Sequence, residues 1–448
     1  MSLIKKQKLL TYILSLPVEN TKMKKTILLF ILTLLCLTTT AKASPSSYIT
    51  LSDKAEVSLL TSTPWNGAIY ALFGHTAIRV KDTIEVRELG LKKLDIVFNY
   101  GLFSFNTPNF MYRFVKGETD YIVGYVGFDD YLYEYKERGV GVFEQQLNID
   151  QTEKQKILDA LIINSLPENR TYRYNYFYDN CATRPRDIIE KNISGKIKYT
   201  PTVKEQSYRD LVWECTSAQP WARFGIDLVI GADADKKITD RQKDFLPLYL
   251  MGAYEGAIIE GDTINRILVE STNTLLTPVQ EQLTYTNPQA DNIQKATDWP
   301  LIVGCILFLF TLLLSLLIYN QQLYALGKVF DTILFFIAGL GGCIIFFLMF
   351  FSEHPCTNPN WNIMWLNPLQ LLIIPLFFAK KLSKYVYYYH FINFASLSLF
   401  LLAWCLIPQQ LEIAFIPYIL TIGTRSIMNI LQYKKINKKA DYSLPRVR

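Results

Sequence analysis

Gly74-His75-Thr76-Ala77-Ile78-Arg79-Val80 and, much further along, Asn175-Tyr176-Phe177-Tyr178-Asp179-Asn180-Cys181-Ala182-Thr183-Arg184 decide how this chain reads. The first segment alternates like a strand behind a glycine, and a strand holds a side chain rigidly. Only 3 histidines occur in the chain, and His75 is the one that falls in its long water-soluble part. Cys181 follows Asp179-Asn180, two residue types that favour a helix start. A cysteine at a helix N-terminus beside an imidazole is the usual arrangement for a thiolate nucleophile and its base. The first N–H groups of such a helix can also receive an oxyanion. Pro185 is tolerated only in the first turn, so the helix starts either at the cysteine or just after Thr183. A third group would orient the imidazole. Asn99 and Asp95 share one face of the strand-like Asp95-Ile96-Val97-Phe98-Asn99-Tyr100-Gly101; Asn99, next to the bend at Gly101, is preferred, although it fits equally as a turn residue. The competing structural reading makes Cys181 half of a disulfide with Cys215.

Around these segments the composition splits sharply. Residues 45–298 carry 28 Lys and Arg against 35 Asp and Glu, while the rest of the chain carries 18 against 5. The overall charge of +6 is therefore no nucleic-acid signature, and no nucleic-acid partner is expected. Met23-Lys24-Lys25, an apolar run from Ile27 to Leu37, and Ala41-Lys42-Ala43 read as a signal peptide cleaved before Ser44. Leu35 stands where a lipoprotein signal at Cys36 needs a small residue. Five apolar stretches follow, at about 299–319, 329–351, 363–379, 389–407 and 412–432, each near the ~20 residues of a spanning helix. The third holds Pro368 and Pro375 and is expected to kink. Lys380, Lys381, Lys384, Lys434, Lys435, Lys438 and Lys439 then fall on the inner side, as the positive-inside rule asks. This gives an extension and signal peptide (1–43), a periplasmic catalytic domain (44–270), a linker (271–298), a five-helix membrane domain (299–432) and a basic cytoplasmic tail (433–448). The expected setting is a bacterial inner membrane, with residues 44–298 periplasmic.

Within the exported part, strands are expected at 68–72, 76–80, 83–89, 94–103 and 140–147, and the aromatic-rich stretch 121–135 reads as sheet. Asp150-x-x-Glu153 is a capping box, with Ile157, Leu158, Leu161 and Ile162 on the following helical face. A strand at 171–178 leads to Cys181, and the helix after it stops near Ser194-Gly195. Another helix is expected from Thr239-x-x-Gln242 to Ile259, kinked at Pro247. Residues 270–298 are polar and read as linker.

Gly74–Arg79 followed by Asn180-Cys181-Ala182-Thr183 resembles the circularly permuted papain-like superfamily, which includes NlpC-type peptidases and lecithin:retinol acyltransferases. In its permuted members the histidine strand precedes the cysteine helix. More closely, the chain resembles the Lnb-type lipoprotein N-acyltransferases of Bacteroides and relatives. The matching pieces are Phe98-Asn99-Tyr100-Gly101 with Phe103 and Pro108-Asn109-Phe110, the segment 176–187, Phe245-Leu246-Pro247, and the outer segment His354-Pro355 with Asn358-Pro359-Asn360-Trp361-Asn362. The resemblance implies an α+β domain of permuted papain-like (NlpC/LRAT-like) fold followed by an all-α five-helix membrane domain. It implies a Cys181 nucleophile with His75 as base and Asn99 as third member. It also implies a phospholipid acyl donor, a lipoprotein acceptor and no cofactor. The aromatic stretch 121–135 is either sheet core or the lining of an acyl site.

Other residues admit weaker readings. Asn180, Arg184 and His354 are candidate substrate-binding residues, Arg184 for a phosphate and His354 for a headgroup or a metal. Arg184, Arg186 and Asp187 also read as salt bridges beneath Cys181. Asp233, Asp235 and Asp240 lack the glycine and bidentate glutamate of a calcium loop, and no metal is expected. Two alternatives to the acyltransferase stay open: a membrane-anchored cell-wall amidase or peptidase with the same dyad, and a non-enzymatic envelope assembly protein. Five spans exceed what a hydrolase needs for anchoring, which favours a lipid substrate.

Overall fold

Alternating apolar residues in the first half build a seven-stranded antiparallel sheet. The computed structural model describes residues 49–86, 90–201, 204–261, 265–279, 296–321 and 323–443, so the signal-peptide reading lies outside the described residues. The strands are β1 (Glu56–Ser62), β2 (His75–Val86), β3 (Gly90–Leu102), β4 (Asp120–Gly127), β5 (Val142–Leu147), β6 (Thr171–Arg173) and, much later, β10 (Val269–Leu276). Their order is β10-β5-β1-β2-β3-β4-β6, with every pair antiparallel. A small three-stranded sheet joins β7 (Lys196–Lys198), β8 (Ile258–Glu260) and β9 (Arg266–Ile267).

Helices cover both faces of the large sheet, which is why every residue from Thr76 to Val80 is buried. The helices of this half are α1 (Phe110–Lys116), α2 (Phe128–Glu137), α3 (Gln151–Ser165), α4 (Thr183–Asn192), α5 (Tyr208–Thr216), α6 (Pro220–Val229), α7 (Asp240–Lys243) and α8 (Pro247–Tyr254). On one face Leu60, Ala77 and Val97 pack against Tyr131 and Tyr135 of α2. On the other, Asn164 of α3 donates to the Tyr100 hydroxyl at 2.9 Å. The expected capping box starts α3: the Asp150 carboxylate accepts from the Glu153 N–H at 2.9 Å, and Glu153 accepts from the Asp150 N–H at 2.8 Å. Ile157, Leu158 and Leu161 then lie fully buried.

Several expectations need correction. Residues 69–71 form a 3-10 turn rather than a strand, with Ile69 and Tyr70 exposed and no neighbouring strand to pair with. The aromatic stretch is strand only to Gly127; α2 follows, with Asp129 and Asp130 in its first turn, where carboxylates suit the positive helix end. Its tyrosines 131 and 135 sit four apart and so share a helical face. The expected strand 171–178 stops at Arg173, because Asn175 and Asp179 close a turn through paired backbone hydrogen bonds of 2.9 Å. Pro247 begins a new helix instead of kinking one, and the chain is a strand again by Ile258. The expected linker contains β10, which pairs with β5 along its length and completes the sheet edge.

The membrane half begins with α9 (Trp299–Gln321) and α10 (Tyr324–Phe350). These, with 361–378, are the stretches among the described residues long and apolar enough to cross a bilayer. The third is broken, as its prolines require: a 3-10 turn (Trp361–Met364), a short α11 (Leu369–Ile373) and a second 3-10 segment (Ile374–Phe378). Then come α12 (Ser383–Leu402) and α13 (Phe415–Ser443), the latter running through the basic residues expected as a tail. Both are less apolar than the first two because they turn polar groups inward. Arg425 of α13 is fully buried, clasping Asp331 of α10 at 2.6 and 3.0 Å and Ser315 of α9 at 2.7 Å. Removing either member would strand a charge, so the triad fixes how these helices pack.

Two loops of the membrane half are bonded to the sheet-bearing half. The Gly231 N–H donates to the Cys356 carbonyl at 2.6 Å and the Ala232 N–H to the Pro359 carbonyl at 2.8 Å. The Asn360 and Asn362 amides reach the Leu228 and Asp227 carbonyls at 2.9 and 3.0 Å, and Gln409 reaches that of Ile230 at 3.1 Å. Arg209, itself fully buried between Asp227 and Asp235, stiffens the receiving segment.

Candidate active site

His75 is the first residue of β2, opposite Ser62 of β1. Gly74 makes the turn into the strand with φ +77°, and a Cβ there would stand 2.6 Å from the Ser62 carbonyl oxygen. The β2–β3 register sets Ala77 against Asn99, and the Asn99 side chain reaches diagonally to the imidazole. Its Oδ1 lies 3.1 Å from His75 Nε2. An amide oxygen only accepts, so Nε2 carries the proton and Nδ1 keeps its lone pair. Asp95, the other candidate on this face, is engaged by Arg79 at 2.8 and 2.9 Å.

Cys181 stands just ahead of α4, which starts at Thr183 and so takes Pro185 in its first turn. Its sulfur lies against the backbone N–H groups of Thr76 and of Cys181 itself. The thiol is thus brought to the residue next to His75. Neither Cys181 nor Cys215 is in a disulfide. Both reactive side chains retain some surface, yet burial dominates their protonation. It pushes the Cys181 thiol up to about 11 against those two N–H groups, and pulls His75 down to about 4. The Asn99 bond opposes the fall at His75, and the nearby Arg138 charge adds to it. The resting pair is therefore a neutral thiol and a neutral imidazole, not the preformed thiolate expected from the helix end.

The expected helix-end donors are committed elsewhere. Asn180 Oδ1 accepts from the N–H groups of Ala182 at 2.8 Å and Thr183 at 3.0 Å. Its amide donates to the Tyr176 and Phe245 carbonyls at 2.9 and 2.8 Å. Buried and fully bonded, Asn180 holds the loop rather than facing a ligand. Phe245-Leu246-Pro247 touches both motifs, since Pro247 also lies beneath Gly74. Arg184 is clasped by Asp179 at 2.6 Å through two bonds and lies over the Tyr172 ring at 3.7 Å, so its charge is already paired. His354 lies in the loop after α10, its Nε2 2.6 Å from the Phe114 carbonyl oxygen, and its ring makes no bond to Cys181 or His75. Arg186 holds Asp187 and the Arg241 carbonyl. Asp233, Asp235 and Asp240 each pair with a cation, Lys236, Arg209 and Lys243 respectively, and do not converge.

Comparison with known families adds the deciding observation. Residues 48–213 match the Lnb N-terminal periplasmic domain, and residues 292–436 match the Lnb transmembrane domain. The chain is an Lnb-type protein. No curated protein and no solved structure matches it. This Lnb-type protein therefore has a periplasmic N-terminal domain and a helical transmembrane region, and the His75–Asn99 and Cys181 constellation lies within the first. Sequence reasoning missed the Thr76 N–H at the sulfur, a contact no side-chain pattern announces. It also missed the aromatic residue Tyr174, whose ring comes within 3.8 Å of where a Cβ on Gly101 would sit, beside the Cys181 Cβ at 3.5 Å.

Proposed function

We propose that this protein is a lipoprotein N-acyltransferase that works through a thioester on Cys181. As the sulfur attacks the ester carbonyl of a membrane phospholipid, His75 Nδ1 takes the thiol proton. The tetrahedral intermediate collapses, the ester C–O bond breaks, and the imidazolium returns the proton to the departing lysophospholipid oxygen. The α-amine of a diacylglyceryl-cysteine lipoprotein then attacks the thioester. His75 takes the amine proton and returns it to sulfur, leaving an amide and a free thiol. Asn99 holds the imidazole in the tautomer this requires. On this reading the N–H groups of Thr76 and Cys181, which lie beside the sulfur, receive the oxyanion.

What carries this reading is the His75–Asn99 bond beside an unbridged Cys181, in a domain bonded to apolar helices. Donor and acceptor are both membrane-held, and tethering the thiol near them raises its effective concentration. A permuted papain-like fold accounts for the histidine strand preceding the cysteine helix. The reading takes five spans in a bacterial inner membrane, with the lysines after 379 and after 433 cytoplasmic and residues 44–298 periplasmic, and the positive-inside rule supports it. The test is a Cys181→Ser strain, with lipoprotein N-termini read by mass spectrometry. The expected result is lipoproteins with a free α-amine; wild-type levels of N-acylation would refute the proposal.

A further inference from the structure

Large apolar side chains gather on one exposed edge of the sheet-bearing half. Phe105, Met111, Tyr112 and Phe114 are 66, 70, 58 and 45% exposed. A soluble surface seldom leaves so many large apolar residues together in water. Phe105, Phe110, Met111 and Tyr112 line an open recess of about 540 Å³ with Thr107 and Asn109.

The position of this edge says what covers it. The Tyr112 ring lies 6.3 Å from that of Phe347 near the end of α10. Ser352 donates to the Val115 carbonyl at 2.9 Å, and the Glu353 N–H to that of Lys116 at 2.8 Å. So α1 is fastened to the end of an apolar helix whose own Phe346 and Phe350, with Phe351 just past its end, are exposed. The exposed face of α1 lies beside the exposed apolar surface of α10.

Behind the recess, rings lead inward. Phe105 meets Phe110 at 5.0 Å, Phe110 stacks on Phe103 at 5.8 Å, and Phe103 contacts Tyr121 at 5.1 Å. Tyr121 stacks on Tyr174 at 4.2 Å, and Tyr174 lies beside Gly101 and so beside Cys181. Gly101 has φ +91°, a conformation that excludes most side chains from this last step.

We propose that α1 dips its exposed face into the outer half of the bilayer, and that the recess and the rings behind it are the groove by which a phospholipid acyl chain reaches the thiol. The inference rests on the acyl-transfer reading for the fate of the chain, while the groove itself is tested without turnover. The full-length protein is reconstituted in vesicles of phosphatidylethanolamine carrying a diazirine in one acyl chain, irradiated, and mapped by mass spectrometry. Adducts are expected within 103–114 as well as on α9 and α10, in the wild type and in Cys181→Ala alike. The variant Phe105→Ser/Met111→Ser/Tyr112→Ser is expected to lose the adducts within 103–114 roughly tenfold or more, as the exposed apolar surface that would enter lipid is removed, while those on α9 and α10 persist and report a folded membrane half. Adducts confined to the membrane helices overturn the proposal. So do adducts within 103–114 that form only with a diazirine-bearing diacylglyceryl lipopeptide. If these adducts form but Cys181→Ser keeps lipoprotein N-acylation, the groove stands and the catalytic reading falls.

Discussion

Replacing Asn99 isolates the orienting bond from the rest of the site. Asn99 is buried, and its Oδ1 accepts from His75 Nε2 across 3.1 Å, so Asn99→Ala leaves a poorly solvated N–H without a partner. Such a loss costs about 1–3 kcal/mol. If the cost falls on the transition state, thioester formation slows roughly ten- to a hundredfold, since each ~1.4 kcal/mol is a factor of ten. The pH profile adds a signature that mere destabilisation does not give. Burial holds His75 at about 4, and the Asn99 bond is what raises it against that burial. Only the unprotonated imidazole is a base, so the wild-type rate falls on acidification near pH 4 rather than near the ordinary 6.5. Asn99→Ala pushes this acid limb lower still. Asn99→Asp places a carboxylate on the imidazole, favours its charged form and moves the limb upward. The assay is single-turnover acylation of Cys181 by a chromogenic ester, followed from about pH 3 to about pH 10. An Asn99→Ala rate equal to wild type, together with an unmoved limb in Asn99→Asp, refutes the orienting role.

Two further substitutions test how the halves are held. A Cβ on Gly231 would stand 2.2 Å from the Pro359 carbonyl oxygen, so Gly231→Ala displaces the loop and weakens two backbone bonds, at about 1 kcal/mol each; faster protease nicking between 352 and 362 is expected, and an unchanged rate argues against the docking. Arg209→Ala leaves Asp227 and Asp235 buried without their cation and should cost about 3–5 kcal/mol, read as a lowered thermal midpoint of the detergent-solubilised protein, with a wild-type midpoint counting against the network.

The legible parts of the sequence were those where local pattern and final environment agree. Thr76, Ile78 and Val80 are β-branched and alternate with Ala77 and Arg79, and a sheet covered on both faces is where such a run settles. Asp150 and Glu153 satisfy each other's backbone within a single turn, so nothing distant had to be known. The misreadings have the opposite cause. Glu270-Ser271-Thr272-Asn273-Thr274 is polar because β10 is an edge strand, and its place is set by β5, more than a hundred residues earlier. Ile69 and Tyr70 look like strand, yet among the described residues no strand pairs with them. His75 and Cys181 stand out as candidates because each is chemically rare in residues 45–298. Asn180 was not, since the four bonds that spend its side chain come from Tyr176, Phe245 and the first turn of α4.

The protonation state of the pair bears on why such a site would sit among aromatic rings. A thiolate waiting at a helix end reacts with whatever electrophile arrives. Here α4 spends its first N–H groups on Asn180, and burial keeps both the thiol and the imidazole neutral. On the proposed mechanism, charge would then develop only during attack, with the N–H groups of Thr76 and Cys181 already beside the sulfur. On the acyl-transfer reading, the poor solvation that raises the thiol would also keep water from the thioester while one lipid is exchanged for another. On the acyl-transfer reading, a hydrolase would gain from better hydration and a transferase from worse. Burial at Cys181 therefore tilts the same dyad toward an amine acceptor. A Tyr174→Ser variant that opens this collar should shift the fate of the thioester from amide toward free fatty acid, and an unchanged ratio of the two products would break the link between burial and transfer.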